Sequence, residues 1–374
     1  MQQIAWKNFI SQERIKDVLG SAFESGALGH AYFFCGASGT GKFAAAVELA
    51  MALLCTSSDQ RPCYTCPSCR KILNFSHPDL HILMPLALQK EHRSSDGKLN
   101  DEGWDFASST VKQRIADPYR KIEYSGIPTI PVEWMREINH AVMRGPLESK
   151  MNIAILDGVD YMSKESANAM LKTLEEPPAG TVMLLISDRI HSVLPTILSR
   201  CQILRFSFIP PEVIRQQIAS RFSVDPNDSR MEEIIYTGSL GQSIAMFENP
   251  VEEVSKDAAE FWRLCVEQNW SLLARTIDRL SALDNFGIYE KLFSQIIRLI
   301  RNSFLKNFSG TENYIMGNRS QLIELKMCKT PEQIEGLVEL CEKAIGQIRV
   351  RANISLVLVN FGIAVMEIFN GEKQ

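Results

Sequence analysis

The sequence predicts an α/β fold with buried parallel strands in its N-terminal half, followed by a wholly helical region. Three observations support this fold class. A short aromatic run at 30–35 leads into a glycine-rich loop and then into a helical pattern at 42–55. Two further runs, at 153–157 and 181–187, are continuously apolar, as strands buried on both faces of a parallel sheet are. Strand patterns stop near residue 206, and only helical spacing of apolar residues follows.

Length and composition limit the number of domains and the class of protein. A chain of 374 residues exceeds one ordinary core, so two or three domains are expected. Forty basic and 44 acidic residues give a net charge of −4, which does not indicate a nucleic-acid binder that acts alone. No signal-peptide pattern opens the chain, and the apolar stretch 354–369 is shorter than the roughly 20 residues of a membrane span. A cytoplasmic location is expected, where the nine cysteines are not expected to form structural disulfides and their spacing is the guide to a metal site.

The glycine-rich loop is the first motif with chemical content. Gly36-Ala-Ser-Gly-Thr-Gly-Lys42 matches the phosphate-binding motif GxxxxGK[ST] at every position except the last. A strand, a loop and a helix in this order direct backbone N–H groups and a helix N-terminus at one anion. The sequence therefore predicts a degenerate nucleotide site whose loop residues are Gly36, Gly39, Thr40, Gly41 and Lys42.

Residues that hydrolysis requires are missing from this site. Phe43 stands where the motif supplies a hydroxyl to Mg²⁺. Asp157 ends an apolar strand, as a metal-associated aspartate does, but Gly158 follows it where a water-activating glutamate is expected. Ser187 closes the next strand, where it either faces a γ-phosphate or simply ends the strand, and Asp160 is expected in a turn or a helix cap. The pattern predicts weak nucleotide binding at most and no intrinsic hydrolysis.

Four cysteines follow the predicted helix at 42–55. Two overlapping C-x-x-C pairs and one thiolate from the preceding helix end supply a complete tetrahedral ligand set, which predicts structural Zn²⁺. The residues between them are polar and turn-rich and offer no core in which to bury unrelated thiols. With the set complete, His77 and His81 are expected to serve packing and hydrogen bonding. The predicted metal ligands are Cys55, Cys63, Cys66 and Cys69.

Changes of pattern along the chain predict three domains. Residues 1–206 form the α/β domain, with the cysteine module at 55–69. Within it, residues 90–126 are charged and rich in Ser, Gly and Asp, which favours a polar surface insertion with few apolar anchors. Prolines near residue 210 indicate a hinge into a small helical lid at 207–250, and residues 251–374 are helical throughout.

Two long strings stand out in the first 205 residues, Asn168-Ala-Met-Leu-Lys-Thr-Leu-Glu-Glu-Pro-Pro178 and Leu194-Pro-Thr-Ile-Leu-Ser-Arg-Cys201. Both resemble the clamp-loader branch of the AAA+ ATPases. Ser11-Gln-Glu-Arg14, His77-Pro-Asp79 and the four-cysteine module are also similar to subunits of the bacterial DNA polymerase III clamp loader. The resemblance implies a RecA-like AAA+ P-loop domain with a zinc module, a small helical lid, and an all-α collar through which subunits oligomerise.

Departures from the motor subunits of that family distinguish the kind of subunit. Motor subunits carry threonine, glutamate and arginine where this chain has Phe43, Gly158 and Gly241. Arg200, on its own, suggests only a surface salt bridge, but the resemblance implies an arginine finger that enters a neighbouring subunit's nucleotide site. Without its own hydrolytic residues but with this finger, the chain resembles the delta-prime family, whose members act as a rigid stator.

The resemblance also implies partners and an activity. The expected assembly is a hetero-pentameric ring with motor (gamma/tau) and delta subunits, which loads the sliding clamp onto primed DNA at the expense of ATP. One alternative is an active motor subunit of the same loader, but the residues at 43, 158 and 241 disfavour it. Alternatives of other classes are a P-loop kinase and a zinc-dependent nucleic-acid adaptor. Neither explains the strings at 171–178 and 199–201.

Overall fold

The chain forms two compact units. One consists of Met1–Ile122 with Pro128–Glu248, and the other of Glu123–Ile127 with Asn249–Gln374. The structure is a computed structural model that describes residues 3–120, 122, 124, 126–228, 230–248, 253–283, 286–309, 330–349 and 352–370.

A five-stranded sheet forms the centre of the first unit. Its strands lie in the order β2-β3-β4-β1-β5, and all four neighbouring pairs are parallel. β1 and β4 are buried at every position, which explains why they read as continuous apolar runs. The strands are β1 Ala31–Cys35, β2 Leu80–Leu83, β3 Asn152–Asp157, β4 Thr181–Ser187 and β5 Gln202–Arg205.

Ten helices belong to the described part of the first unit. One that packs against the sheet is α2, which starts at Lys42 directly after the glycine loop and is buried over nearly its whole length. The helices are α1 Glu13–Glu24, α2 Lys42–Leu54, α3 Pro67–Leu73, α4 Asp101–Ala116, α5 Val132–Arg144, α6 Lys164–Glu175, α7 Pro195–Leu198, α8 Pro211–Phe222, α9 Met231–Ile234 and α10 Leu240–Glu248.

The sheet order brings the predicted nucleotide residues to one edge. β4 lies between β1 and β3, and Cys35 pairs with Ser187 while Asp157 pairs with Ile186. The glycine loop, Asp157 and Ser187 therefore follow the carboxyl ends of three adjacent parallel strands, where open α/β sheets bind their ligands.

Residues 90–126 contain a helix that the sequence analysis missed. Helix α4 occupies the middle of the segment that its composition assigned to a polar surface insertion, and Asn100 caps it by accepting the N–H of Gly103. Ala107, Val111 and Ile115 form a buried stripe at four-residue spacing. This stripe is only one residue wide in a sequence that is otherwise polar. The overall composition of the segment therefore gave no indication of a helix.

The predicted lid has its own apolar cluster within the first unit. Helices α8 to α10 contribute most of it, and Ala44 of α2 and Tyr119 from the turn after α4 belong to the same cluster. The remaining buried members are Ile209, Ile214, Ile218, Met231, Ile234, Ile235, Leu240 and Ile244. Residues 207–248 thus pack within the same compact unit as the sheet, and a separate lid domain stays a prediction.

The second unit is helical in all its described elements. Its core is rich in aromatic side chains, and the rings of Phe293 and Phe361 meet edge to face with centroids 5.0 Å apart. Residues 310–329 of the predicted collar lie outside the described residues. No helix in the described ranges is long and apolar enough to cross a membrane. The helices are α11 Glu253–Val266, α12 Trp270–Ser281, α13 Phe286–Ser309, α14 Pro331–Arg349 and α15 Ile354–Asn370.

Candidate functional site

Lys42 is buried beneath the glycine loop, and all its hydrogen-bonding capacity is used within the chain. Its Nζ donates to the carbonyls of Gly36 at 2.8 Å and Ala37 at 2.6 Å, and forms an ion pair with Asp188 at 2.8 Å. An ammonium group has three N–H donors, so none is left for a phosphate. Only 5% of the Lys42 side chain is exposed, and Asp188 replaces the anion that this lysine type otherwise binds.

Asp157 is paired with a cation from α4. The Nε of Arg114 lies 3.3 Å from Oδ2 of Asp157, and both side chains are largely buried, with 16% and 15% exposed. The Arg114 guanidinium also covers the ring of Phe43, 4.7 Å from its centroid, a cation–π contact. Burial raises the pKa of the Asp157 carboxyl, with a further contribution from Asp188, while Arg114 and Lys42 oppose that shift.

Ser187 and Gly158 complete this edge of the sheet. The Ser187 Oγ donates to Oδ1 of Asp160 at 2.8 Å and accepts the N–H of Arg189 at 2.9 Å, so its hydroxyl is engaged within the chain. Asp160 lies in the short 3₁₀ turn Val159–Tyr161 that follows β3, consistent with the expected turn, and it also bonds Ser187. A Cβ added at Gly158 would lie 2.7 Å from Cγ of Pro85, so the glutamate of motor subunits has no room without displacing that proline.

The lid contacts the glycine loop directly. Ser239 Oγ donates to the carbonyl of Ser38 at 2.7 Å, and the N–H of Gly241 donates to the carbonyl of Gly39 at 3.2 Å. A Cβ at Gly241 would lie 2.2 Å from the carbonyl oxygen of Tyr119 and 3.0 Å from Cα of Gly39. No side chain fits at 241, the position where motor subunits carry arginine.

The residues present do not fit a magnesium nucleotide. The loop lysine has no free donor, and the strand aspartate is paired with arginine instead of a metal. Phe43 offers no oxygen ligand, and the Thr40 hydroxyl donates to the carbonyl of Ala37 at 2.8 Å. The structure therefore brings the predicted nucleotide residues together in a site that the chain's own side chains satisfy.

The four predicted metal ligands do form a cluster. Their Sγ atoms all lie within 4.8 Å of one another, and those of Cys55 and Cys66 are 3.8 Å apart. A disulfide requires about 2.05 Å, whereas Zn–S bonds of about 2.3 Å give tetrahedral edges of about 3.8 Å. Burial opposes ionisation of Cys66, but the N–H of Cys69 and contacts from Thr56 lower the pKa of Cys66 to about 6. This donor set could hold a tetrahedral metal ion.

Two nearby histidines are engaged elsewhere. His77 Nδ1 accepts the N–H of Asp79 at 3.1 Å, and His81 Nε2 lies 3.4 Å from Oδ1 of Asn152. Neither belongs to the cysteine group. Their hydrogen bonds agree with the predicted packing role.

Glu48 joins the cysteine module to the start of the chain. This buried carboxylate of α2 accepts the N–H of Lys7 at 3.0 Å and of Phe9 at 3.3 Å, and it also accepts the hydroxyl of Tyr64 between the cysteines. The N–H of Ala5 donates to the carbonyl of Arg61 in the same module at 2.7 Å. Residues 5–9 are therefore held by α2 and by the cysteine loop together.

Arg200 lies between α7 and the edge strand β5. Its Nη2 forms an ion pair with Glu175 at 2.7 Å, and its Nη1 donates to the carbonyl of Thr196 at 2.7 Å. The side chain is 35% exposed, so this guanidinium reaches the surface while Glu175 at the end of α6 holds it.

Three important residues of these sites lacked a sequence signal. Arg114 and Tyr119 lie in the segment whose helix was missed, and Glu48 sits in an apolar helix without a motif around it. For Glu48, its position in the middle of an otherwise apolar helix was the one available clue to a structural role. Burying a carboxylate is unfavourable unless several hydrogen bonds compensate it.

A parallel sheet with a glycine-rich loop after its first strand defines a P-loop protein of the α/β class. Residues 11–210, slightly more than half of the 374-residue chain, match the family model described as DNA polymerase III, delta subunit. The chain belongs to this family. The predicted fold class, an α/β P-loop domain followed by helical regions, and the predicted delta-prime recognition are both confirmed.

Individual relatives are DNA polymerase III subunits. The delta′ subunit of Bacillus subtilis is 28% identical over 262 residues, which cover 70% of this chain and 66% of the relative. The tau subunit of the same organism is 29% identical over 231 residues, which cover 61% of this chain and 33% of the relative. A solved structure of a gamma subunit-related protein from Thermotoga maritima covers 93% of this chain and 98% of its own, with 14% identity and a TM-score of 0.37.

The Glu48 contacts lead to a stability prediction. Glu48→Gln replaces one acceptor oxygen with an N–H₂ group that faces other donors, so we expect a loss of about 1–3 kcal/mol in the free energy of unfolding. Urea denaturation followed by tryptophan fluorescence measures this loss. Glu24→Gln, at an exposed position of α1, is the matched control and should change little. Equal midpoints for the two variants would contradict the role assigned to Glu48.

Proposed function

We propose that this chain is a delta-prime-type stator subunit of the DNA polymerase III clamp loader. In this role it supports ATP-dependent loading of the sliding clamp onto primed DNA without turning over nucleotide itself. The family match supports the assignment to DNA polymerase III. The observation that carries the stator role is the self-satisfied nucleotide site, in which Lys42 pairs with Asp188 and Asp157 pairs with Arg114.

The proposed partners are the motor (gamma/tau) and delta subunits in a hetero-pentameric ring. Relatives named delta′ and tau support membership of such an assembly. Primed DNA and the sliding clamp are the proposed targets of the assembled ring. An active motor role is disfavoured, because Gly158 has no room for a glutamate beside Pro85 and Gly241 has none for an arginine beside Tyr119.

The proposed contribution to catalysis is Arg200, acting in trans. A guanidinium that reaches a neighbour's γ-phosphate stabilises the charge that develops in the transition state. Partial exposure of Arg200 next to the edge strand β5 supports this role, and Glu175 holds the side chain at the surface in the free subunit. To engage a phosphate, Arg200 exchanges a carboxylate partner for a phosphate partner, so its charge remains paired.

The proposed occupant of the cysteine cluster is structural Zn²⁺. Four thiolates leave no open coordination position, which excludes a hydrolytic role for the ion. Its contribution is to fold the module, and such sites supply about 10–16 kcal/mol of apparent folding free energy in zinc-finger peptides.

The first prediction concerns turnover. Purified chain with Mg²⁺ and ATP should release no phosphate above background in a steady-state assay, because neither the lysine nor the aspartate is available. Lys42→Ala should give the same trace, and the cognate motor subunit serves as the positive control. Turnover that disappears in Lys42→Ala would show an active site here and overturn the stator assignment.

The second prediction concerns zinc. Freshly reduced protein should carry one equivalent of zinc by elemental analysis. Cys66→Ser should lower that content and speed amide exchange in residues 55–69 and, through Tyr64 and Glu48, in residues 5–9. Exchange in the second unit should stay unchanged, since it has a separate core. Cys201→Ser, outside the cluster, is the control, and zinc-free wild-type protein would refute the proposal.

The third prediction concerns the finger. Arg200→Ala should leave assembly intact but lower DNA- and clamp-stimulated ATP hydrolysis of the reconstituted loader. An arginine finger raises the hydrolysis rate of GTPases by roughly 10³–10⁵. The ATPase rate of the whole loader should nevertheless fall only in part, because the other nucleotide sites in the ring keep their arginine fingers. Arg200→Lys should restore little of the ATP hydrolysis lost in Arg200→Ala, since an ammonium does not reproduce the planar fork of a guanidinium.

The control for the finger is Arg136→Ala, an exposed arginine of α5. It should leave the rate of the reconstituted loader unchanged. If Arg200→Ala also hydrolyses ATP and loads clamps at the wild-type rate, Arg200 is a surface residue and its catalytic role is wrong.

A further inference from the structure

We propose that residues 114–120, here called the plug, are an internal ligand of the degenerate nucleotide site. The plug begins at the end of α4 and lies between the glycine loop and the lid. It supplies the cation that the site lacks and fixes the lid on the loop. The proposal explains the physical origin of the stator role and rests on the proposed function only for its biological purpose.

The charge of Arg114 takes the place of a metal ion. In a working site of this type, a hydroxyl after the loop lysine and an aspartate at the strand end serve Mg²⁺. Here the hydroxyl position is Phe43 and the aspartate is Asp157. Arg114 is complementary to both at once, because its Nε pairs with the carboxylate at 3.3 Å and its guanidinium face lies 4.7 Å from the centre of the ring. The two replacements form one cation-binding arrangement built from side chains.

The rest of the guanidinium organises the plug itself. Nη1 of Arg114 donates to the carbonyl of Pro118 at 2.9 Å and to that of Arg120 at 2.7 Å. These bonds turn the chain after α4 around the guanidinium. The charge at Asp157 and the shape of the plug therefore depend on the same side chain.

Tyr119 fills the space between the loop and the lid. Its ring is buried, and its hydroxyl accepts the N–H of Ile10 at 2.9 Å. A Cβ at Gly41 of the loop would lie 2.8 Å from this hydroxyl oxygen, and one at Gly241 of the lid would lie 2.2 Å from the Tyr119 carbonyl oxygen. Tyr119 thus contacts the two glycines that border the site from opposite sides.

Ion pairs tie the plug to the first and the last helix of the lid. Asp117 pairs with Arg221 in the last turn of α8, with one contact at 3.2 Å. Arg120 pairs with Glu248 at the end of α10 at 3.2 Å. Each exposed pair is weak alone, but together they place the lid over the loop from two directions. A lid held this way does not open to admit a nucleotide.

Amide hydrogen exchange of the full chain tests the plug. Arg114→Met keeps the length of the stem but removes the charge, so exchange in residues 36–42 and 238–242 should speed at least about tenfold. Lys112→Met, on the exposed face of the same helix, is the matched control and should match wild type. Added Mg²⁺ and ATP should leave the exchange of the wild-type loop unchanged. Exchange in Arg114→Met equal to that in Lys112→Met, or protection of the wild-type loop by ATP, would overturn the proposal.

Two further variants test the same contacts, and Arg221→Met does so even where Arg114→Met does not fold. Arg221→Met removes the exposed ion pair between Asp117 and α8, together with a distant cation–π contact to Phe222, and it should speed exchange in residues 238–242 while leaving the sheet strands unchanged. In a thermal-unfolding cycle, Asp157→Asn should recover part of the midpoint lost in Arg114→Met, because it removes the unpaired carboxylate. Additive losses in that cycle would contradict the pairing.

The outcome is separable from that of the proposed function. These measurements use the isolated chain and require no partner subunit. A chain that shows the plug behaviour but does not assemble with clamp-loader subunits would refute the clamp-loader role and leave the plug intact. A chain that assembles but exchanges its loop and lid amides rapidly would refute the plug and leave the clamp-loader role intact.

Discussion

The structure depends on how the buried charge of Lys42 is compensated. An ammonium group below a phosphate loop requires a counter-charge, since a buried and unpaired charge is strongly unfavourable. In a nucleotide-binding protein the phosphates provide it, but here Asp188 and two loop carbonyls do. The same rule applies to Asp157, whose carboxylate has Arg114 in place of a metal. With both charges paired internally, the loop keeps its shape without a ligand.

This internal compensation connects the fold to a stator role. Here Ser239 and Gly241 bond the loop directly, and Tyr119 occupies the space beside them. A ligand shifts an equilibrium only by its differential affinity for two states. Because the loop lysine and the strand aspartate are already paired within the chain, a nucleotide has little basis for shifting this subunit between states, which fits the proposed stator role.

Local patterns predicted the site scaffold, whereas long-range contacts were beyond the sequence. The glycine loop, the strands that end at Asp157 and Ser187, and the cysteine cluster each have a signal within a few residues. Arg114 reaches Asp157 across 43 residues of sequence from a helix whose buried stripe is narrow. Nothing local distinguishes that arginine from other charged residues of the segment. The sequence alone showed that position 43 lacks a hydroxyl. Only the structure identified Arg114 as the cation that replaces the metal.

The most direct test of the stator assignment is the composition of a reconstituted loader. Equimolar chain, cognate motor subunits and delta subunit are mixed, and native mass spectrometry determines the stoichiometry of the complex. We expect a single species with one copy of this chain per ring, the remaining positions being filled by motor and delta subunits. Rings that contain several copies of this chain, or motor and delta rings that form without taking it up, would contradict the assignment.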